Sequence, residues 1–252
     1  MSNPGCPPPY WFKVPAPGAF FPFSDKNQNP SRFRYTQNVA TTTTSIVAIQ
    51  YNAGVMMAGD TLGSYGSLAR FRNCSRIIKV NDKIILGAGG DYGDFQHLKA
   101  IIEGKVNKDD CIDDGTQLKP KELHCWLTRI LYNRRCQLDP LWVDFVIAGN
   151  QDGQPFLGFV EKKGVAFKDK IICTGYGAHL ISPLLRDALL RNPKLNKEDA
   201  KSLIEKSMEI LYYRDARSYL KYQIGNFDLK DGINIEGPLT VRENWNIARL
   251  IN

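Results

Sequence analysis

Four threonines and a serine, Thr41-Thr42-Thr43-Thr44-Ser45, stand where a proline-rich stretch gives way to a regular apolar pattern. Hydroxyl runs at strand starts are ordinary, and a threonine hydroxyl is a weak nucleophile. The run gains chemical meaning only if the chain is cut there, because a new N-terminal threonine carries its own base: the free amine takes the proton from the neighbouring hydroxyl. Other chemistries find less support. The three histidines, His97, His124 and His179, each fall inside a predicted helix, and none is spaced to serve a nucleophile in a triad. Gly87-Ala88-Gly89-Gly90 resembles half of a phosphate-cradling loop, but it lacks the P-loop lysine and the full dinucleotide fingerprint, so it reads as a packing turn. Six cysteines lie far apart, with no C-x-x-C pair and no accompanying histidine cluster. They predict reduced thiols, no metal and no cofactor.

The elements that must position these residues begin after a distinct N-terminal segment. Residues 1–35 are rich in proline and aromatics and have neither helical nor strand periodicity, which predicts an extended or disordered segment, either a floppy tail or a removable prosegment. From Ser45 to Tyr51 the chain reads as a strand, turns at Asn52-Ala53-Gly54, and returns from Val55 to Gly59. Both strands are apolar at nearly every position, so both of their faces should be covered. A second hairpin follows, Arg76 to Val80 and Lys83 to Gly87, then helices over Tyr92–Val106 and Pro120–Gln137. In the latter, Leu123, Trp126, Leu127, Ile130 and Leu131 share one stripe. Strands return at Leu141–Ala148 and Pro155–Val160, with short pieces near Val165 and Ile171. Helices over Ala178–Arg191 and Lys197–Tyr213, a hairpin of Tyr222–Phe227 and Gly232–Glu236, and a tail over 237–252 complete the chain.

Paired helices separated by hairpins predict an α+β fold with antiparallel sheets and helix layers outside them. Two sheets packed face to face and covered on both sides form a four-layer αββα sandwich, spanning one domain from 36 to 236. Composition agrees, since 43% hydrophobic and 23% charged residues over 252 positions is ordinary for a globular chain. No apolar run approaches the roughly 20 residues that cross a bilayer, and the N-terminus lacks a secretory pattern. The formal charge of +7 is scattered, as in Arg70/Arg72, Arg134/Arg135 and Lys162/Lys163, without a stripe of interleaved aromatics. That argues against nucleic acid as the partner.

Three blocks carry a family resemblance: Ser45–Asp60 (SIVAIQYNAGVMMAGD), Leu86–Asp91 (LGAGGD) and Tyr213–Ser218 (YRDARS). In this order and spacing they resemble the proteasome beta subunits, whose fold is the αββα sandwich of N-terminal-nucleophile hydrolases. Asp60–Asn73, Leu141-Trp142, Thr174–Gly177, and Gly237-Pro238 with Asn244-Trp245 are similar to the seventh, non-catalytic type. The resemblance places the nucleophile position at Thr44, with Asp60, Asp215 and Ser218 also matching the family's site. It also implies departures. Thr43 replaces the glycine after which active members are cut. Arg76 replaces the lysine, and its guanidinium stays protonated. Tyr176 replaces a serine, and its ring is expected to fill the space a substrate needs. A degenerate site follows, and no catalysis is expected from it.

The same resemblance implies processing at Tyr35 and Thr36, and interface contacts by Trp245, Ile247, Leu250 and Ile251 of the tail. It implies assembly with other alpha and beta subunits into the 20S core particle with help from assembly chaperones, in cytoplasm and nucleus. Two rival readings are an active threonine peptidase beginning at Thr44 and a free-standing basic binding module.

Overall fold

A computed structural model of the chain describes residues 39–112 and 115–246. In chain order the elements are β1 (Thr42–Thr43), β2 (Ile46–Tyr51), β3 (Gly54–Asp60), β4 (Gly63–Tyr65), β5 (Leu68–Phe71), β6 (Ile77–Asn81) and β7 (Ile84–Gly90). Next come α1 (Tyr92–Ile112), α2 (Pro120–Cys136), β8 (Val143–Gln151), β9 (Gln154–Val160), β10 (Ala166–Lys168) and β11 (Ile171–Cys173). The last are α3 (Gly177–Leu180), α4 (Ser182–Arg191), α5 (Lys197–Arg214), β12 (Lys221–Asp228) and β13 (Gly232–Thr240).

Two five-stranded sheets form the centre, in the orders β11-β2-β3-β12-β13 and β10-β9-β8-β7-β6. Every pairing within them is antiparallel. The inner strands β2, β3, β7 and β8 are largely apolar because alternate residues face different partners. In β2, Val47, Ile49 and Tyr51 join a core with Ile181, Leu185, Ile204 and Met208 of the α3–α5 layer. Ile46 and Ala48 face the opposite sheet and meet Ile77, Ile85, Val146 and Leu157. The second sheet repeats the arrangement: Ile84, Leu86, Val143, Phe145 and Ile147 pack on Phe95, Leu98, Leu123 and Leu127 of α1 and α2. Three cores therefore separate four layers, the αββα sandwich expected from the order of elements. Each fully buried Leu or Ile stabilises it by about 1.5–3 kcal/mol before entropy is charged.

Local chemistry sets the helix ends. Pro120 opens α2, where a missing N–H costs nothing, and the Lys119 N–H donates to Glu122 Oε2 at 3.0 Å. Glu198 and Asp199 sit in the first turn of α5, where negative charge is favoured.

Three expectations need correction. The helix expected over Ala178–Arg191 is two helices that meet at buried Ile181, with Pro183 in the first turn of α4. The last strand does not stop at Glu236 but runs to Thr240 through Gly237-Pro238, so the tail begins later. Its place at a sheet edge tolerates a proline that an inner strand would reject. A third sheet, in the order β1-β4-β5, had no counterpart in the pattern of apolar residues.

Candidate functional site

The run Thr41–Thr44 is built into the body rather than left loose beside it. Thr42 and Thr43 form β1 and pair with Ser64 and Gly63 of β4. The Thr41 N–H donates to Asp91 Oδ1 at 3.1 Å, and the Thr41 carbonyl accepts the Tyr92 N–H at 3.0 Å. The Thr43 hydroxyl donates to the Gly90 carbonyl at 2.8 Å. The peptide bond between Thr43 and Thr44 thus joins two strands, each held by its own ladder. While that bond is intact the Thr44 nitrogen is an amide, whose lone pair is delocalised into the carbonyl and does not serve as a base.

Thr44 faces Arg76, a residue only 1% exposed that precedes β6. Its Nη2 donates to Thr44 Oγ1 at 3.1 Å, and its Nη1 to the Thr44 carbonyl at 2.7 Å. Nε reaches the Asp60 carbonyl at 2.9 Å, and Nη2 forms an ion pair with Asp60 Oδ1 at 2.5 Å. Asp60, 2% exposed at the end of β3, accepts the Tyr219 N–H on its other oxygen at 3.1 Å. Gly59 makes room for the guanidinium, since a Cβ there would lie 3.3 Å from Nη2. Burial pushes the Asp60 carboxyl above the ordinary range, while the Arg76 charge and hydrogen bonds from Thr44 and the Leu62 amide pull it back. The guanidinium spends its donors on fixed acceptors and accepts no proton, so it orients the Thr44 hydroxyl without activating it.

Asp215 and Ser218 match the family motif, but they serve their own turn. Asp215 caps the end of α5, and its Oδ1 accepts the Arg217 N–H at 2.9 Å. The Ser218 hydroxyl donates to the carbonyls of Asp215 at 2.8 Å and Tyr212 at 3.1 Å. No hydrogen bond joins either residue to Thr44 among the described residues. Asp215 shares with Thr44 a cavity of about 440 Å3, lined also by Thr42, Thr43, Tyr176 and Arg217.

Tyr176 does not fill that cavity, contrary to expectation. The Gly177 N–H donates to Ser45 Oγ at 2.9 Å, and Thr174 Oγ1 accepts the Ile46 N–H at 2.8 Å, which tie both ends of the turn to the start of β2. Gly175, at φ +57, then turns the chain outward, and Tyr176 stands at the rim, 66% exposed. Sequence reasoning missed Arg217, whose Nη1 donates to Thr42 Oγ1 at 3.1 Å, and Asp91, which anchors Thr41. Both lie in the quoted family blocks, which was the one available signal.

Of the tail residues, Trp245 packs edge-on against Tyr213 at 5.2 Å and donates from Nε1 to Glu243 at 3.2 Å. The other tail positions, Ile247, Leu250 and Ile251, lie outside the described residues, as do Tyr35 and Thr36.

A four-layer αββα body with a threonine just ahead of its first core strand defines the N-terminal-nucleophile hydrolase class of fold. Within that class the chain belongs to the proteasome subunit family, whose model, described as "Proteasome subunit", matches residues 40–226. It is 48% identical to proteasome subunit beta type-4 of Xenopus laevis over 219 residues, covering 87% of this chain and 90% of the relative. Identity to the beta type-4 subunit of Drosophila melanogaster is 39% over 256 residues, covering 96% and 95%. Proteasome subunit beta type-7 of Saccharomyces cerevisiae is 35% identical over 232 residues, covering 88% and 87%.

Proposed function

We infer that this chain is a non-catalytic beta subunit of the 20S proteasome core particle, which supports its assembly and the cohesion of its rings. The observation that carries the reading is the Thr44 environment. Its hydroxyl lies 3.1 Å from a guanidinium that cannot take its proton, and the same guanidinium is tied to the buried Asp60. Similarity to beta type-4 and type-7 subunits supports the same conclusion. Its partners are the alpha and beta subunits beside it and the chaperones that assemble them, in cytoplasm and nucleus. Residues 1–35 act as a prosegment, cut near Tyr35 and Thr36 by an active neighbour, and the tail beyond Thr240 reaches other subunits.

The test is the N-terminal residue of this chain, read by mass spectrometry on the complex purified from its own cells. A start near Thr36 within a large particle is expected. A start at Thr44, together with labelling by a covalent probe for N-terminal threonine, overturns the reading and makes the chain a peptidase.

A further inference from the structure

The hairpin of β4 and β5 is constructed unlike the rest of the body. Every residue from Tyr65 to Asn73 is exposed, including Tyr65 at 54%, Leu68 at 59% and Phe71 at 42%. The chain is nonetheless ordered there: Tyr65 pairs with Leu68 across the Gly66-Ser67 turn, with Gly66 at φ +59, and Ser64 pairs with Ala69. Among the described residues β5 has a partner on one side only, so its outer edge offers free backbone donors and acceptors. An exposed edge strand bearing Leu68 and Phe71, beside Tyr65 of β4, is an aggregation hazard unless something covers it.

Charge identifies what covers it. No Asp or Glu occurs from Thr61 to Asn81, whereas the hairpin carries Arg70 and Arg72. The Arg70 guanidinium lies 5.8 Å from the Tyr65 ring centre and 5.4 Å from that of Phe71, so the cation sits between two aromatic faces. Neither arginine has a carboxylate partner within ion-pair distance among the described residues. Exposed aromatics stacked with arginine are the composition of an interface centre. A second copy of the same hairpin is a poor occupant, because it brings like charges and no carboxylate.

We propose that the β4–β5 hairpin docks into a neighbouring, different protein subunit, in an apolar cleft flanked by carboxylates that take Arg70 and Arg72. The proposal rests on the subunit reading above and names the surface through which that subunit joins its neighbour. Because β4 also pairs with β1, the docked surface continues directly into the strand that precedes Thr44.

The experiment expresses three full-length chains in cells that assemble the particle: wild type, R70E/R72E and R70K/R72K. Circular dichroism and thermal melts should match for all three, since both positions are exposed. The fraction of chain in the large particle, read by native gel, should fall about tenfold for R70E/R72E, as for loss of one strong interface anchor. It should stay near wild type for R70K/R72K. A photo-crosslinker at position 68 of the particle-borne chain should then join an acidic segment of another subunit, mapped by peptide mass spectrometry.

Normal incorporation of R70E/R72E overturns the proposal while leaving the subunit reading intact. So does a crosslink to a second copy of this chain, to its own residues 1–38, or to a nuclease-sensitive product. A wild-type chain that enters no large particle refutes the subunit reading, and the docking proposal falls with it.

Discussion

Replacing Arg76 with methionine should be among the most damaging single changes available outside the apolar cores. The side chain of methionine fills part of the same volume, but it leaves the Asp60 carboxylate buried at 2% exposure without its cation. It also strips donors from the carbonyls of Asp60 and Thr44, which Arg76 reaches at 2.9 and 2.7 Å. Breaking a buried pair by removing one partner costs about 3–5 kcal/mol. For a chain of this size that lowers Tm by about 6–20 °C. Thermal and urea unfolding of the full-length chain, followed by circular dichroism, measures the loss.

The loss should also depend on pH in a definite direction. Without Arg76 the folded Asp60 carboxyl titrates higher than in the unfolded chain, because burial dominates. A carboxyl raised in the folded state costs little at low pH, where it is protonated in both states. The penalty grows as pH rises through its folded value. R76M should therefore be closer to wild type at pH 5 than at pH 7.5. A double-mutant cycle with D60N should show coupling above about 1 kcal/mol, the combined variant being milder than the sum of the two. Additive single effects, or a cost for R76M below about 1 kcal/mol, would mean that the pair is not the ionised, dry contact that its geometry describes.

Three further outcomes can be checked on the same chain. Burial holds His124 below its ordinary pKa, with Phe156 packed on the ring and Lys168 adding repulsion, against the opposing pull of the Phe159 carbonyl 3.1 Å from Nε2. Unfolded chains therefore take up a proton below about pH 6.5 that the fold resists; stability should be full above that pH, fall on acidification, and fall less steeply in H124Q. Alkylation under native conditions should label exposed Cys111, Cys125 and Cys136 and spare buried Cys74 and half-buried Cys173, the Cys173 thiol being pushed up to about 12 by desolvation; labelling of Cys173 without unfolding contradicts this. Replacing Gly54 with alanine drives a Cβ into the Phe227 carbonyl at the junction of β3 and β12, and should cost about 1–3 kcal/mol in urea unfolding.

The layers were legible in the sequence because burial on both faces leaves a distinctive record. Strands such as Ile46–Tyr51 and Val143–Ala148 are apolar at both parities, and only a sheet covered on each side requires that. The β4–β5 hairpin left no such record, since its residues face outward and follow no core periodicity. Helix α1 runs past Val106 through a polar stretch to Ile112, where only Phe95, Leu98 and Ile102 are buried, so its last turns carry no apolar stripe. At the site, residue types at Thr44, Asp60 and Arg76 were visible only through family resemblance, because their meeting depends on contacts between separate strands. Where a side chain points was not legible at all: Tyr176 is turned outward by Gly175, and Ser218 is turned back onto Tyr212 and Asp215.

Arg76 also bears on how such a chain can change over generations. Its guanidinium reaches Asp60 at the end of one central sheet and, more loosely at 3.4 Å, the Ala88 carbonyl in the other. A lysine at this position offers one ammonium group in place of that planar fork, and cannot span the same acceptors together. Any lineage that replaces the guanidinium loosens this tie between the two sheets in the same step that changes the surroundings of Thr44. The buried cation thus binds the chemistry open to Thr44 to the cohesion of the whole sandwich.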